Sequence, residues 1–209
     1  DEEREAELVR YGRLVQERAQ RLSEARRSAK NTEQRLSVLE RDEARLNALL
    51  AALEAKARAR PAGRTGTAGT PGTLTTADIG KLDWPVEGPI LYRFGPERLP
   101  SGATIRRNGI AIGAEVGTPV RAVEAGTVEL LQSLGTYGLT LIVAHGNAYR
   151  SVYAHLSEAK VALGAAVAKG QVVGTVGGEN TDEGASLYFE IRGANLIALD
   201  PADWLKRRR

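Results

Sequence analysis

The 209-residue sequence contains no cysteine. This excludes disulfides, thiolate metal sites and cysteine nucleophiles, and it leaves the redox compartment open. Only two histidines occur, His145 and His155, too few for a centre that needs several imidazoles. Aromatic residues make up 5% of the chain, whereas a nucleic-acid surface concentrates Lys and Arg on one face among aromatics. The net charge of +3 is mildly basic, and the basic residues of the N-terminal half are interspersed with Glu, so no nucleic-acid partner is expected. The closing Lys206, Arg207, Arg208 and Arg209 read as a solvated tail. No run of about 18 apolar residues exists, so no membrane span is expected. No signal-peptide pattern opens the sequence, and Asp1 falls inside a helical pattern without an initiator Met, the expectation for a trimmed or mature form.

Before Pro61 there is no proline, and Gly12 is the only glycine. Apolar residues recur there at spacings of three and four: Leu8, Tyr11, Val15, Leu22, Ala25, Ala29, Leu36, Leu39, Leu46, Leu50, Leu53 and Ala57. Arg18, Thr32 and Glu43 break the seam. Heptads flanked by Glu and Arg predict a coiled coil over residues 1–60. A helix of that span is about 75 Å long at 1.5 Å per residue. It cannot bury its stripe alone and needs a partner: a second copy, an upstream segment or another protein. Residues 61–73 are rich in Gly, Thr and Pro and read as a flexible linker. Thr76 would then cap a short helix reaching Leu82, so residues 61–83 separate the coil from a globular domain at 84–209.

In that domain short β-runs alternate with glycines. Strands are expected at residues 90–94, 119–123, 127–131, 139–144, 151–155, 171–176 and 187–192. The fold class is α + β: a long coiled-coil helix followed by a mostly antiparallel β-sheet domain. Around Leu187, Phe189 and Ile191 the apolar residues alternate with Ser186, Tyr188, Glu190 and Arg192, as in a half-buried strand. The first set is expected in a core and the second along one wall of a groove.

Several motifs together resemble the LytM (lysostaphin-like) zinc endopeptidases. They are Gly80 through Val86, Gly117-Thr118-Pro119-Val120, Tyr153-Ala154-His155-Leu156, residues 164–174, Ser186 through Arg192, and Asp200-Pro201 with Trp204-Leu205. The resemblance covers roughly the last 125 residues and implies a duplicated-hybrid-motif-like β domain. It also implies where zinc ligands would stand. Arg107 and Ala111 occupy the positions of the family's His-x-Gly-x-Asp ligands, and Tyr188 that of the third ligand. Ser186 replaces one catalytic histidine and His155 keeps the other. Arginine is a fixed cation, alanine has no lone pair, and a neutral tyrosine is a poor zinc ligand. No metal, no cofactor and no catalytic residue are therefore expected, and His155 is expected to be a hydrogen-bonded structural residue.

A LytM-like domain without its ligands, behind a coiled coil, resembles the EnvC-type murein hydrolase activators. That likeness implies a periplasmic or cell-envelope protein that binds and activates a cell-wall (N-acetylmuramoyl-L-alanine) amidase during division. The coil would receive a signal from an FtsEX-like membrane complex. The partner-binding groove would be formed by Asn108, Ala111, Tyr137, Tyr153, His155, Ser186, Tyr188, Glu190 and Arg192. Tyrosine and arginine are the residue types favoured as binding anchors. A helical segment is expected to cover the groove at rest, with residues 76–82 or a missing segment upstream of residue 1 as candidates. Two alternatives remain open from the residues: a peptidoglycan-binding or scaffold module, and an atypical LytM-family endopeptidase.

Overall fold

The computed structural model describes residues 2–59 and 74–208; the expected linker at 61–73 lies outside the described residues. The chain divides into two compact units, Asp1–Arg41 and Asp42–Arg209. Helix α1 (Glu2–Ala59) supplies the first unit and opens the second. Its ends suit the helix dipole, with Glu2, Glu3 and Glu5 in the first turn and Lys56 and Arg58 in the last. In the first unit the seam residues Leu8, Tyr11, Val15, Leu22 and Leu39 are exposed.

The described residues of the second unit form twelve strands. These are β1 (Ile90–Tyr92), β2 (Gly95–Arg98), β3 (Thr104–Arg107), β4 (Ile110–Gly113), β5 (Pro119–Arg121) and β6 (Gly126–Ser133), then β7 (Leu139–Ala144), β8 (Arg150–Ala159), β9 (Ala166–Val167), β10 (Val172–Val176), β11 (Ser186–Arg192) and β12 (Ala198–Leu199). A short helix, α2 (Pro201–Trp204), follows and is capped by Asp200. The main sheet runs β1-β4-β11-β8-β7-β6-β9, with β10 joining β5 to β8 and β12 flanking β11; β2 and β3 form a separate hairpin. The expected strands are present, and the pairings are antiparallel. The expected helix at 76–82 is instead a single 3-10 turn, Thr76–Asp78. Thr75 caps it and Asp78 closes the capping box.

Two apolar clusters lie on the two faces of the sheet. The larger contains Ile110, Ile112, Leu141, Val143, Tyr153, Leu187, Phe189, Ile191 and Trp204. The smaller joins Leu46 and Leu50 of α1 to Leu130, Leu134, Ile142 and Val152. A bulge in β6 between Val128 and Leu130 makes this possible. An extra residue reverses which face later side chains meet. Val128, paired with Val143, points into the larger core, and Leu130, paired with Ile142, points at the helix.

Candidate partner-binding groove

Strand β11 is the centre of the site. Tyr188 is paired with Ala111 on one side and Ala154 on the other, and Glu190 is paired with Val152. Laterally paired residues share a face, so Tyr188, Ala111, Ala154, Glu190 and Val152 face the same way. The two alanines leave room for the phenol to lie across the sheet. Its ring centroid is 5.3 Å from Tyr137, 5.9 Å from His155 and 6.4 Å from Tyr92. Gly109 makes this approach possible, because a Cβ there would collide with the carbonyl oxygen of Phe189 and lie 3.0 Å from Tyr188 Cζ.

A polar chain runs along the same strip. The Tyr188 hydroxyl donates to Glu190 Oε1, and Arg192 Nε donates to Glu190 Oε2 at 2.6 Å. Glu190 is fully buried and Arg192 only 4% exposed. Burial, then the neighbouring Glu190 carboxylate, holds the Tyr188 phenol well above its ordinary range, so it is a neutral donor. Burial likewise raises Tyr137 and Tyr92. Burial opposes the charge of Arg192, but Glu190 outweighs it and the guanidinium stays protonated.

Arg107 forms the second polar node. Its Nε donates to Glu97 Oε2 at 2.6 Å and its Nη2 to Glu183 at 3.4 Å, while its guanidinium lies 3.9 Å from the Tyr92 ring centroid. It thereby ties the β2–β3 hairpin and the loop before β11 to strand β1. Arg107, Ala111 and Tyr188 thus present a paired guanidinium, a methyl group and a phenol engaged with Glu190. These do not fit a zinc ion, whose usual ligands are thiolate, imidazole and carboxylate. Among the described residues no group of three or more His, Cys, Asp or Glu is placed to hold a metal.

The groove face is covered by the end of α1. Leu46 and Leu50 are fully buried against Leu130, Leu134, Ile142 and Val152. Asp42 Oδ2 accepts from the Thr136 backbone N–H at 2.8 Å, Glu43 accepts from Asn108 Nδ2, and Asn47 Oδ1 accepts from Arg192 Nη1 at 3.1 Å. The cover is therefore neither of the two segments expected from the sequence. The same contacts correct the reading of β11 as half-buried, since all seven of its residues are buried. They also take Leu46 and Leu50 out of a purely helix–helix seam.

Of the expected groove residues, Asn108, Ala111, Tyr137, His155, Tyr188, Glu190 and Arg192 come together on this face. Tyr153 does not. It is fully buried in the larger core, 5.3 Å from the Phe189 ring, with its hydroxyl accepting from the Val123 N–H at 2.9 Å. Alternation groups it with the polar Ser151 and His155 against Val152 and Ala154, so the period of two pointed away from the core that it occupies. Ser186 is buried and donates to the Gly184 carbonyl at 2.9 Å. His155 has its Nε2 3.2 Å from the Thr136 carbonyl, and burial lowers its pKa. The sequence reading missed Tyr92, Glu97, Glu183 and Asn47. Asn47 had one available signal, a polar residue directly after a seam leucine.

Comparison with known proteins places this geometry. The profile of "Peptidase family M23" matches residues 106–201. The "Murein hydrolase activator EnvC" of Escherichia coli is 35% identical over 220 residues, covering 92% of this chain and 51% of that protein. The "Cell division protein DipM" of Caulobacter vibrioides is 32% identical over 149 residues, covering 68% of this chain and 24% of that one. The chain thus spans about half the length, or less, of these relatives. Among solved structures, a zinc-containing peptidase from Vibrio cholerae superposes with a TM-score of 0.54 at 25% identity, over 58% of this chain and 39% of the other. From the matched profile, the antiparallel sheet and these relatives, residues 106–201 of this chain form a domain of the peptidase family M23 (LytM) type.

Proposed function

We propose that this chain is a non-catalytic activator of a cell-wall (N-acetylmuramoyl-L-alanine) amidase, working in the periplasm or cell envelope during division. The observation that carries the reading is the donor set at Arg107, Ala111 and Tyr188. A domain of peptidase family M23 holds there a cation tied to two glutamates, a methyl group and a phenol engaged with a buried glutamate. Such a face binds and does not hydrolyse. The likeness to a murein hydrolase activator over most of the chain supports the same conclusion.

The amidase docks on the strip of Tyr188, Glu190 and Arg192. At rest the end of α1 lies over that strip, so the groove is closed. A signal carried by the coil over residues 1–60, from an FtsEX-like membrane complex, withdraws the cover. A bistable contact of this kind biases a partner without any chemistry of its own. The test uses dye-labelled sacculi, a purified zinc-dependent amidase and the purified chain. The chain alone releases no dye and increases release by the amidase. Dye release by the chain alone would favour an endopeptidase. Sedimentation of the chain with sacculi but no stimulation would favour a peptidoglycan-binding scaffold.

A further inference from the structure

The covered groove leaves one donor unanswered. Arg192 gives its Nε to Glu190, and its Nη1 to Asn47 Oδ1 and the Leu196 carbonyl, each at 3.1 Å. Its Nη2 is buried and donates to nothing among the described residues. Buried polar groups nearly always find a partner, and a cationic donor left without one is unfavourable. The side chain that α1 offers is a carboxamide. It has one acceptor atom, and its other terminal atom is a donor like Nη2 itself. A carboxylate of the same length offers two acceptors, the match for the end of a guanidinium fork. Glu190 takes Arg192 Nε and the Tyr188 hydroxyl and leaves Nη2 without a partner.

We propose that the groove is built for an amphipathic helix of a partner protein that carries a carboxylate where α1 presents Asn47. Asn47 makes α1 an incomplete ligand of Arg192, and hence a displaceable one. The proposal rests on the reading of this groove as the partner site, and it names the chemistry of the segment that enters it. The contacts of α1 give the rest of the pattern. Two leucine-sized residues four apart fill the place of Leu46 and Leu50. An acidic residue one turn before the first of them meets the Thr136 N–H, as Asp42 does. Such a helix keeps the apolar contact and the bond from Nη1, and adds one charge-assisted bond, from Nη2, that α1 lacks.

Two synthetic peptides covering residues 38–57 test this, one with the natural Asn47 and one with Asn47→Asp. Their binding is measured by fluorescence anisotropy to the full chain carrying Leu50→Ala, which loosens its own cover. The Asp peptide is expected to bind about tenfold more tightly or better, the worth of one net bond to a charged group. The preference should vanish when Arg192→Gln is added, and Arg192→Lys, which keeps the charge without the fork, should restore little of it. In the otherwise natural chain, Asn47→Asp should slow hydrogen exchange of residues 42–53 by a similar factor. Equal binding of the two peptides, binding of neither, an Asp preference that survives Arg192→Gln, or faster exchange in Asn47→Asp would each overturn the proposal. None of these readouts involves an amidase. A chain that activates an amidase but shows no Asp preference defeats this inference alone, and a chain that activates none defeats the function.

Discussion

Shortening Leu46 and Leu50 to alanine removes the two side chains of α1 that are fully buried against the sheet. At about 0.8 kcal/mol per buried methylene, each truncation loses roughly 2.4 kcal/mol of transfer energy. The void left against Leu130, Leu134, Ile142 and Val152 brings buried Leu→Ala changes into the range of about 2–5 kcal/mol. For two neighbouring sites the loss is on the order of 5 kcal/mol. Against it stand the contacts of Asp42, Glu43 and Asn47, each worth about 1 kcal/mol net. The polar contacts alone cannot hold the cover, and a helix end without packing frays. Hydrogen exchange of residues 42–53 should therefore accelerate by on the order of a thousandfold. The larger core does not contain these leucines, so near-ultraviolet signals from Trp84 and Trp204 should persist. Unchanged exchange in residues 42–53 of a folded double variant would refute the claim that Leu46 and Leu50 fasten the cover.

Other consequences are equally direct. Purified protein should carry no stoichiometric zinc, and elemental analysis finding one tightly held zinc per chain would contradict the reading of Arg107, Ala111 and Tyr188. Arg107→Ala should loosen the β2–β3 hairpin by about 1–3 kcal/mol, because it removes charged hydrogen bonds to Glu97 and Glu183. Faster hydrogen exchange across residues 95–107, not rescued by Arg107→Lys, is the expected signature. His145 is buried, its Nδ1 donates to the Ala125 carbonyl at 2.7 Å, and its Nε2 accepts from the Ser151 hydroxyl at 2.6 Å. Burial lowers its pKa from 6.5, so the folded chain binds this proton less readily than the unfolded chain. Its contribution is present above about pH 6.5 and is lost as pH falls through the lower folded value. Melting temperature should fall over that window, and less steeply in His145→Gln; His155 shifts the same way and adds to the fall.

Much of the sheet was legible because its strands are short, β-branched and separated by glycines, and the face of β11 carrying Tyr188, Glu190 and Arg192 followed from a period of two. The cover was not legible. Leu46, Leu50 and Leu53 recur at helical spacing whether the surface they meet is another helix or a sheet, so periodicity reports a buried stripe and not its partner. The bulge at β6 was equally hidden, since nothing in residues 126–133 marks where Leu130 changes face. Tyr153 was placed in the groove because tyrosine is common at binding surfaces. Its hydroxyl instead satisfies the Val123 N–H inside the core, a long-range contact that local pattern cannot reveal.

The most direct measurement compares the natural chain with a Leu46→Asp/Leu50→Asp variant in the amidase assay on dye-labelled sacculi. Two carboxylates cannot remain in an apolar contact without partners, so the variant holds the groove open while Tyr188, Glu190 and Arg192 stay in place. The account predicts that neither protein releases dye alone and that the variant stimulates the amidase well above the natural chain. It also predicts that adding Tyr188→Ala abolishes this gain. Equal stimulation by the natural chain and the variant, or stimulation that survives the loss of Tyr188, would contradict it.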